Sequence, residues 1–456
     1  MTGVRRVAVI DIGKTNAKLT LVDLPTLRAR RTLSMANLVR PGPPWPHHDL
    51  EAIWTFVLEG LRTLHASDGI DAIATTAHGA SVVLLDQRGQ LAAPMLDYEH
   101  DGPDRVKAAY EAIRPDFALT GSPRQPLGLS AGAQLHWQLQ TDPGLAGRIA
   151  LVLTYPQYWS YRLTGIAATE VTALSSHSDL WEPYAGRFSP LVEALGLQGK
   201  IAGIRRADAR LGPIAPQVAR ATGLPGSTPV VCGIHDSNAT LYPHLLARKP
   251  PFAVVSTGTW VIVMAVGGQA VAMDQTRDSM VGTNALGQPV PSARFMGGRT
   301  FDLVLAGRSR DYSREDVAQT LARRLYLMPS VVPESGPFPG RVHRWSQAEA
   351  TIPDGQRLVA LSFHLALMAA ECLSMTGADG PVIVEGPFTG NPLFMAMLQA
   401  ATGRAVGAGS GLTIGTSLGA ALLFGGSLPE PEPWPAPDPD PALAGYARGW
   451  RQALAG

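Results

Sequence analysis

The stretch from Val7 to Asp23 reads VAVIDIGKTNAKLTLVD. Its start, Val7–Ile10, is an apolar run typical of a strand buried on both faces, and residues 18–23 alternate as a second strand does. A polar turn joins the two runs and contains Gly13, Lys14, Thr15 and Asn16. Glycine permits backbone angles that a Cβ would forbid, and the amides, hydroxyl and charge beside it can hold a phosphate. The stretch predicts a β-hairpin whose tip is either a phosphate site or an ordinary surface turn.

A second stretch, Phe252–Val266, repeats this pattern as FAVVSTGTWVIVMAV. When the two stretches are aligned, Asp11 falls on Ser256 and Gly13 on Gly258, an offset of about 245 residues. The polar turn of the second hairpin contains Thr257, Gly258 and Thr259. An internal repeat at this distance predicts two similar domains. We expect their hairpin tips to face one cleft and to grip one polyphosphate from both sides.

Size and charge narrow the class of protein. The 456 residues exceed the length at which one hydrophobic core stops growing, so two domains are expected. Hydrophobic residues make up 45% and charged residues 16% of the chain, which is typical of a folded globular protein. The formal net charge of +1 argues against nucleic acid or an anionic membrane surface as a partner. Any bound anion should therefore be held by local groups.

Cysteines and apolar runs bear on the compartment. Cys232 and Cys372 lie in apolar contexts without metal-ligand spacing, so we expect both in the core. The apolar run after Arg5 and Arg6 meets Asp11 too early for a secretion signal, and we expect no membrane span. These features predict a soluble, cytoplasmic protein.

Prolines mark the expected domain boundary. The sequence RKPP at Arg248–Pro251 predicts a hinge, since two prolines fix a connection just before the second hairpin. This boundary assigns residues 1–247 to an N-terminal domain and residues 248–456 to a C-terminal domain. Near the end of the chain, Pro429–Pro441 predicts a stiff loop before a last helix.

Polar residues follow several predicted strands of the first domain. His78 and Gly79 come after a buried strand, where side chains are well placed for a ligand, although a histidine in a turn is the simpler interpretation. His235 and Asp236 lie where another strand enters a helix. Asp236 is either a helix N-cap, a position that aspartate favours, or a functional carboxylate. Glu99, in an acidic segment, is a further candidate for binding hydroxyl groups.

Longer motifs point to a family. The run TYPQYWSYRLTG at Thr154–Gly165 precedes ATEVTALSSHSDLWEPYAGRFSP at Ala168–Pro190, and a strand, a glycine loop and a helix follow at Pro381–Arg404. This order, with the paired hairpins, resembles the FGGY carbohydrate kinases of the actin-like ATPase superfamily. The matching residues are Thr164, Gly165, Thr169, Glu170, Ala173, Asp179, Phe188, Ser189, Gly386, Asn391, Leu393, Phe394, Gln399, Thr402 and Gly403. The resemblance implies an α/β fold of two actin-like, ribonuclease H-like domains flanking a nucleotide and sugar cleft.

The resemblance also implies roles for single residues. Asp236 aligns with the catalytic aspartate of the family, and Asp11 would hold Mg²⁺ through water, since magnesium takes few protein ligands. The sugar would be bound by His78, Gly79, Glu99, His235 and Asp236. The ATP would be bound by Gly13, Lys14, Thr15, Asn16, Thr257, Gly258, Thr259, Gly386 and Asn391. The expected substrates are thus ATP and a small sugar.

The sugar itself is less closely defined. The sequences GGRTF at 297–301 and HDS at 235–237 resemble the L-rhamnulokinase and L-fuculokinase branch, which implies a ketose such as L-rhamnulose or L-fuculose. Asp97–Glu99 reads DYE where the family often has WND, and Gln134 and Gln138 also depart from the usual pattern. A xylulose- or polyol-type kinase therefore stays open.

Another class of protein also stays open. An actin-like regulator could bind ATP and phosphorylate nothing, although such a protein has no reason to keep an acceptor base at Asp236. Trp260 either contacts the sugar or packs within its hairpin. A homodimer is left open as well.

Overall fold

A computed structural model describes residues 3–409, 415–430, 434 and 440–455 of the chain. Most of the predicted stiff loop at Pro429–Pro441 lies outside these residues. Cys232 and Cys372 are buried free thiols, as predicted. The chain has a mixed α/β architecture in which each large sheet belongs to one compact unit.

The two compact units are built from separate segments of the chain. The first unit consists of Met1–Ala247, Gly282–Pro289 and Leu412–Glu430. The second unit consists of Arg248–Val281, Val290–Gly411 and Pro431–Gly456. The chain thus enters the second unit at Arg248, inside the predicted hinge. Of the described residues, 282–289 and 415–430 group with the first unit, whereas the sequence was expected to divide once, between residues 247 and 248.

Residues 3–247 contain the strands of the first large sheet, three two-stranded sheets and the helices that lie between them. The strands are β1 (Arg6–Ile12), β2 (Asn16–Asp23), β3 (Arg28–Ala36), β4 (Val39–Arg40), β5 (His47–His48), β6 (Ala72–Ala77), β7 (Val82–Leu85), β8 (Leu151–Thr154), β9 (Trp181–Glu182), β10 (Arg187–Phe188), β11 (Arg210–Pro213), β12 (Pro229–Val231) and β13 (Ile234–His235). The helices are α1 (Leu50–Asp68), α2 (Gly102–Arg105), α3 (Lys107–Glu111), α4 (Phe117–Thr120), α5 (Ala131–Thr141), α6 (Leu145–Arg148), α7 (Tyr155–Thr164), α8 (Val171–Leu174), α9 (Leu191–Ala194), α10 (Pro216–Thr222) and α11 (Asp236–Ala247).

The sheet of the first unit is built around β1. Its strand order is β11-β12-β6-β1-β2-β3, with β13 also paired to β6. The strand β1 runs antiparallel to β2 and parallel to β6, so the predicted hairpin is confirmed. Val7, Ala8, Val9 and Ile10 are fully buried, as expected for a strand covered on both faces. On one face α1 lies so close to β2 that a Cβ on Gly60 would come within 2.7 Å of the Leu19 side chain.

Residues 248–455 contain the second sheet and the longest helix. The strands are β14 (Phe252–Thr257), β15 (Val261–Val266), β16 (Ser279–Thr283), β17 (Pro289–Phe295), β18 (Leu327–Met328), β19 (Arg344–Trp345), β20 (Val382–Glu385) and β21 (Val406–Ala408). The helices are α12 (Gly297–Leu305), α13 (Arg314–Ala322), α14 (Asp354–Met375), α15 (Pro392–Thr402), α16 (Thr416–Ala421) and α17 (Pro441–Ala455). Short 3-10 helices lie at Gln275–Arg277, Glu349–Thr351, Pro387–Gly390 and Leu422–Phe424.

The sheet of the second unit repeats the arrangement of the first. Its strand order is β16-β17-β15-β14-β20-β21, and β14 runs antiparallel to β15 and parallel to β20. This is the relation of β1 to β2 and β6 in the first unit. The internal repeat predicted from the aligned hairpins is therefore confirmed.

The helix α14 forms much of the core of the second unit. Among the described residues it is the one helix long and apolar enough to cross a membrane by composition, a feature that the expectation of no such segment overlooked. Its side chains are nevertheless mostly buried, including Phe363, Leu365 and Leu367, and the helix packs against α15 and β15. Burial against neighbouring elements accounts for its apolar composition.

Candidate functional site

Three parallel strands of the first unit end side by side. In the register of β1 and β6, Asp11 lies opposite Thr76, and in the register of β13 and β6, His235 lies opposite Ala77. The carboxyl ends of these strands therefore carry Asp11, His78 and the His235–Asp236 pair to one edge of the sheet. Ligands of open α/β sheets bind at this edge. The structure thus brings together four residues that the sequence singled out from separate stretches.

Asp236 is the first residue of α11 and does not act as its N-cap. An N-cap carboxylate accepts from amides two or three residues ahead, which here belong to Asn238 and Ala239. Among the described residues, Asp236 Oδ1 instead accepts from the amide and the hydroxyl of Ser237, the latter at 3.2 Å, and lies 3.1 Å from His235 Nε2. About a third of the side chain is exposed. The carboxylate is consequently available to a substrate hydroxyl.

His235 is held by neighbours that the sequence did not reveal. Its backbone amide donates to Thr172 Oγ1 at 3.0 Å, and that hydroxyl donates in turn to the buried Glu170 carboxylate. Its Nε2 lies 3.2 Å from Ser176 Oγ. Burial lowers the pKa of His235, although the charge of Asp236 opposes this shift, so the imidazole is neutral. The matched Glu170 motif therefore fixes the strand end that carries His235 and Asp236.

His78 presents a bare acceptor nitrogen. Its Nδ1 lies 2.9 Å from the Gly79 carbonyl oxygen, which can only accept, so Nδ1 carries the proton. Its Nε2 is buried and has no hydrogen-bond partner among the described residues. Burial lowers the pKa of the ring, which packs against Tyr98 and Tyr155 at 5.2 and 5.0 Å between ring centroids. His78 can therefore accept a hydrogen bond from a sugar hydroxyl.

His48 adds a second bare acceptor that sequence reasoning missed. Asn37 Nδ2 donates to the Gly13 carbonyl at 2.8 Å, which leaves Asn37 Oδ1 to accept from His48 Nδ1 at 3.1 Å. The proton of His48 is thus on Nδ1, and its buried Nε2 has no hydrogen-bond partner among the described residues and lies 3.8 Å from Asp97 Oδ1. Burial lowers the pKa of His48 to about 3. Its ring lies 5.8 Å from that of His78, measured between centroids.

Gly79 is required by close approach. A Cβ at this position would lie 2.4 Å from Ser176 Oγ and 2.8 Å from His235 Nε2. Any larger residue would push His235 away from Asp236. Close packing against Ser176 and His235 therefore favours glycine at this position.

Lys14 points toward the acidic DYE segment. Its Nζ is ion-paired with Asp97 Oδ1 and lies 3.3 Å from Glu99 Oε2 and 4.8 Å from the centre of the Tyr98 ring. The side chain of Glu99 is 61% exposed, whereas those of Lys14 and Asp97 are largely buried. The Lys14 ammonium group, predicted to face phosphate, is therefore already paired with the carboxylates of Asp97 and Glu99.

The rest of the first tip is supported by Asn37. The Gly13 amide donates to the Asn16 carbonyl, and the Asn37 amide donates to the Thr15 carbonyl, both at 2.9 Å. Gly13 is not among the residues with positive φ, so the expectation that it adopts backbone angles forbidden to other residues is wrong. A Cβ there would instead come within 3.3 Å of the Asn16 oxygen. Close approach, rather than an unusual backbone angle, favours glycine at this position.

Asp11 is a buried carboxylate beside a second one. Burial first, and the charge of Asp236 second, raise the pKa of Asp11 from its ordinary value near 3.8 to about 6, while Lys18 and the Ser417 hydroxyl oppose the shift. A cation near these carboxylates would relieve their repulsion. The described residues contain no cluster of three or more metal-ligating side chains. Asp11 therefore fits a magnesium ion held mainly by water and phosphate oxygens.

We expect Asp11→Asn to stabilise the protein at pH 8 in EDTA. The folded state binds the Asp11 proton more tightly than the unfolded state, so ionisation destabilises the fold. The loss of stability caused by the ionised Asp11 carboxylate is absent below about pH 4, grows as the pH rises through about 6, and is complete above that pH. Two pKa units correspond to at most about 3 kcal/mol in the free energy of unfolding. Urea unfolding of parent and variant at pH 4 and pH 8 measures the difference.

Asp208→Asn is the control of opposite sign. Its ion pair with Arg206 lowers the pKa of Asp208, so this substitution should give no gain at pH 8. If the Asp11 and Asp208 variants changed the free energy of unfolding by the same amount at pH 4 and at pH 8, the claim that the Asp11 charge is buried would be contradicted.

Thr257 ties the second hairpin to the loop after β20. Its hydroxyl donates to the Glu385 carbonyl at 2.6 Å and accepts from the Phe388 amide at 3.1 Å. Gly386, next in that loop, has φ +84° and ψ −165°, and a Cβ there would lie 2.0 Å from the Thr257 carbonyl oxygen. The Thr257 hydroxyl, predicted to face phosphate, therefore makes both of its hydrogen bonds inside the second unit. Gly386 is the point at which the loop after β20 contacts the second hairpin.

The tip of the second hairpin rests on α12. The Gly298 amide donates to the carbonyls of Gly258 and Thr259 at 3.0 and 3.2 Å. A Cβ on Gly298 would lie 2.4 Å from the Gly258 oxygen. Trp260 lies against Arg294, whose guanidinium is 4.6 Å from the ring centre. The GGRTF motif thus supports the hairpin tip within its own unit.

Asn391 has a structural role in the segment predicted to bind adenosine. Its Oδ1 caps α15 by accepting from the Leu393 and Phe394 amides, both at 3.1 Å. Its Nδ2 donates to Ser362 Oγ at 3.0 Å. Both ends of the side chain are therefore occupied.

Comparison with known proteins identifies the family. The N-terminal domain of the FGGY family of carbohydrate kinases matches residues 7–242, and the C-terminal domain of carbohydrate kinase FGGY matches residues 249–432. The chain belongs to the FGGY family of carbohydrate kinases. The resemblance inferred from the motifs is thereby confirmed.

Solved structures agree with this FGGY assignment. A carbohydrate kinase from Novosphingobium aromaticivorans has a TM-score of 0.89 and 31% identity, covering 99% of both chains. A xylulose kinase from Lactobacillus acidophilus has a TM-score of 0.77 over 99% of this chain and 98% of that one, at 15% identity. The second likeness concerns the fold alone. The predicted two-domain, actin-like α/β fold is confirmed.

Curated relatives of this FGGY protein are more distant. A Pasteurella multocida protein named "Probable L-xylulose kinase" is 28% identical over 60% of this chain and 59% of its own length. A Yersinia pestis rhamnulokinase is 25% identical over 60% of this chain and 56% of its own length. The matches thus span little more than half of these relatives.

Proposed function

We propose that this FGGY-family protein is an ATP-dependent sugar kinase, which transfers the γ-phosphoryl group of ATP to a hydroxyl of a small sugar. The observation that carries the proposal is the Asp236 carboxylate, which is partly exposed at the strand ends and free of a capping role. Neutral imidazoles of His78 and His235 lie around it. A proton acceptor surrounded by hydrogen-bonding groups is what a hydroxyl nucleophile requires.

The chemistry assigned to the first unit is activation of the sugar. Asp236 orients one hydroxyl and takes its proton as the oxygen bonds to the γ-phosphorus and the bond to the β-phosphate oxygen breaks. His78 Nε2 accepts from a second hydroxyl, and Gly79 keeps His235 close to Asp236. Glu99 offers a further exposed acceptor. Proton transfer of this kind contributes about 10² to 10⁴-fold to the rate.

The nucleotide is assigned to the hairpin tips and the Gly386 loop. The proposed residues are Gly13, Lys14, Thr15 and Asn16 in the first unit, and Thr257, Gly258, Thr259, Gly386 and Asn391 in the second. Because the side chains of Lys14, Thr257 and Asn391 are committed to other partners, these three residues would contribute through the backbone they fix. Mg²⁺ would neutralise phosphate charge when bound, with Asp11 contacting it through water.

The finer assignment is a ketose substrate. L-rhamnulose or L-fuculose is favoured by the GGRTF and HDS motifs, while the curated relatives include both rhamnulose and L-xylulose kinases, so a xylulose-type substrate has equal support. We place the enzyme in the cytoplasm, with sugar and ATP as its small-molecule partners. A homodimer is compatible with the proposal.

Release of ADP across a sugar panel tests the proposed function. With ATP and Mg²⁺, the protein should release ADP with at least one of L-rhamnulose, L-fuculose, L-xylulose and D-xylulose, faster than with glycerol. The matched control is the same assay without sugar, which reports idle ATP hydrolysis. If every sugar gives only that background while ATP still binds, the protein is better described as a nucleotide-binding regulator. Glycerol as the best substrate would remove the ketose assignment and keep the kinase.

A further inference from the structure

One short segment, residues 170–176, holds His235 at two points. The backbone amide of His235 donates to Thr172 Oγ1 at 3.0 Å, and the ring Nε2 of His235 lies 3.2 Å from Ser176 Oγ. Asp236 comes next in the chain, and its Oδ1 lies 3.1 Å from the same Nε2. The place of the Asp236 carboxylate therefore depends on contacts made to the residue before it.

Glu170 lies at the buried end of these contacts. Its Oε2 accepts from the Thr172 amide at 3.0 Å, from the Ala173 amide at 3.3 Å and from the Thr172 hydroxyl. Because the hydroxyl proton points to Glu170, Thr172 Oγ1 keeps its lone pairs for the His235 amide. We call Glu170, Thr172 and the His235 amide the Glu170 relay. Since an ionised carboxylate makes stronger hydrogen bonds than a neutral group, the charge of Glu170 strengthens the relay.

Burial makes the charge of Glu170 unfavourable. The side chain is fully buried, and its Oε1 has no hydrogen-bond partner among the described residues. Burial raises the pKa of Glu170 to about 7, although its own hydrogen bonds oppose the shift. In the part of the chain that the structure describes, no ion pair with Glu170 is made by the titratable groups on the neighbouring segments, which are Cys232, His235 and Arg205. The first two are neutral because they are buried. Glu170 therefore changes its charge near neutral pH.

We propose that Glu170 is a positioning residue: through Thr172 and the His235 amide, its ionised carboxylate holds Asp236 in place for the sugar hydroxyl. This inference rests on the proposed kinase function and adds pH control to it. When Glu170 is neutral, its bond to the Thr172 hydroxyl weakens and the support of His235 weakens with it. A misplacement of about 1 Å can slow a reaction about 100-fold. Turnover should therefore fall as the pH falls through about 7, before Asp11 is protonated near pH 6.

Two substitutions at position 172 test the Glu170 relay. Thr172→Val removes the hydroxyl between Glu170 and His235 but keeps the shape of the side chain and the backbone amides that Glu170 accepts from. Thr172→Ser keeps the hydroxyl. With a sugar that the parent turns over, we expect kcat to fall about tenfold in Thr172→Val, with an unchanged KM for ATP, and to stay near the parental value in Thr172→Ser. Equal kcat values in the two variants would overturn the proposal.

Glu170→Gln tests the charge itself. Glutamine keeps an acceptor oxygen but cannot ionise, so kcat at pH 8 should be about tenfold below that of the parent, and the fall in kcat around pH 7 should disappear. Glu182→Gln is the matched control, since Glu182 is another buried glutamate of the same unit and accepts from Arg187 Nε at 2.8 Å. It should keep the parental kcat and pH profile. A parental pH profile in Glu170→Gln would overturn the pH control.

A nuclear magnetic resonance titration needs no turnover and so separates this inference from the proposed function. In protein labelled with ¹⁵N-histidine, the amide signal of His235, assigned by its loss in His235→Gln, should shift with a midpoint near pH 7 in the parent and not in Glu170→Gln. The His235 ring does not titrate there, because burial lowers its pKa. An unmoved signal in the parent would overturn the relay. A shifting signal in a protein that releases no ADP with any sugar would support the relay and remove the kinase.

Discussion

The Asp236→Asn variant is expected to lower kcat by about 10² to 10⁴-fold with a sugar that the parent turns over, because an amide cannot take the hydroxyl proton. The fold should persist. The amide oxygen of asparagine can still accept from Ser237, the partner that Asp236 Oδ1 uses. Turnover at saturating sugar, with melting temperature and ATP affinity measured alongside, checks both parts of the expectation.

Asp208→Asn is a matched control for Asp236→Asn. Asp208 lies in the same unit, its side chain is 33% exposed against 32% for Asp236, and it is paired with Arg206. Its substitution should leave kcat near that of the parent. Near-parental turnover in Asp236→Asn would sink the general-base assignment and with it the proposed mechanism.

Gly386→Ala is expected to destabilise the second unit by about 2 to 5 kcal/mol. The backbone at φ +84° and ψ −165° lies in a region that is essentially restricted to glycine, which costs another residue about 1–3 kcal/mol. The added methyl would also lie 2.0 Å from the Thr257 carbonyl oxygen, so the loop or β14 must shift at similar cost. Urea unfolding followed by circular dichroism measures the loss, and ADP titration should show weaker nucleotide binding.

Gly403→Ala separates backbone strain from the clash. Gly403 ends α15 at φ +67°, and a methyl group added there would meet nothing within 4 Å, so only left-handed strain of about 1–2 kcal/mol applies. If Gly386→Ala were no more destabilising than Gly403→Ala, the contact with Thr257 would carry no energy.

Local patterns predicted the two hairpins and the repeat, whereas the actin-like α/β fold was implied by the resemblance to the FGGY family. Apolar runs and polar turns identified both hairpins, and their alignment identified the repeat, because strand burial imposes composition on each segment separately. The described residues 282–289 and 415–430 group with the first unit through contacts that leave no mark on local periodicity.

The clustering of residues at the sheet edge could be predicted where they follow strand ends. His235 ends β13, His78 and Asp236 come directly after strands, and parallel pairing brings all three together. His48 lies on the two-residue strand β5 and Asn37 in the loop after β3, and no local sequence pattern indicates that His48 Nδ1 donates its proton to Asn37. The side chains of Thr257 and Asn391, predicted to bind the nucleotide, also hydrogen-bond to nearby backbone atoms, and no sequence pattern indicated these contacts.

The hydrogen bonds inside the two hairpin tips have a consequence for their electrical polarity. The first tip has its Gly13, Thr15 and Asn16 carbonyls occupied, and the second tip has those of Gly258 and Thr259 occupied. Because these five carbonyl oxygens already accept hydrogen bonds, fewer free lone pairs are left at either tip to repel an anion. This favourable polarity depends in part on two donors outside the tips, Asn37 and Gly298.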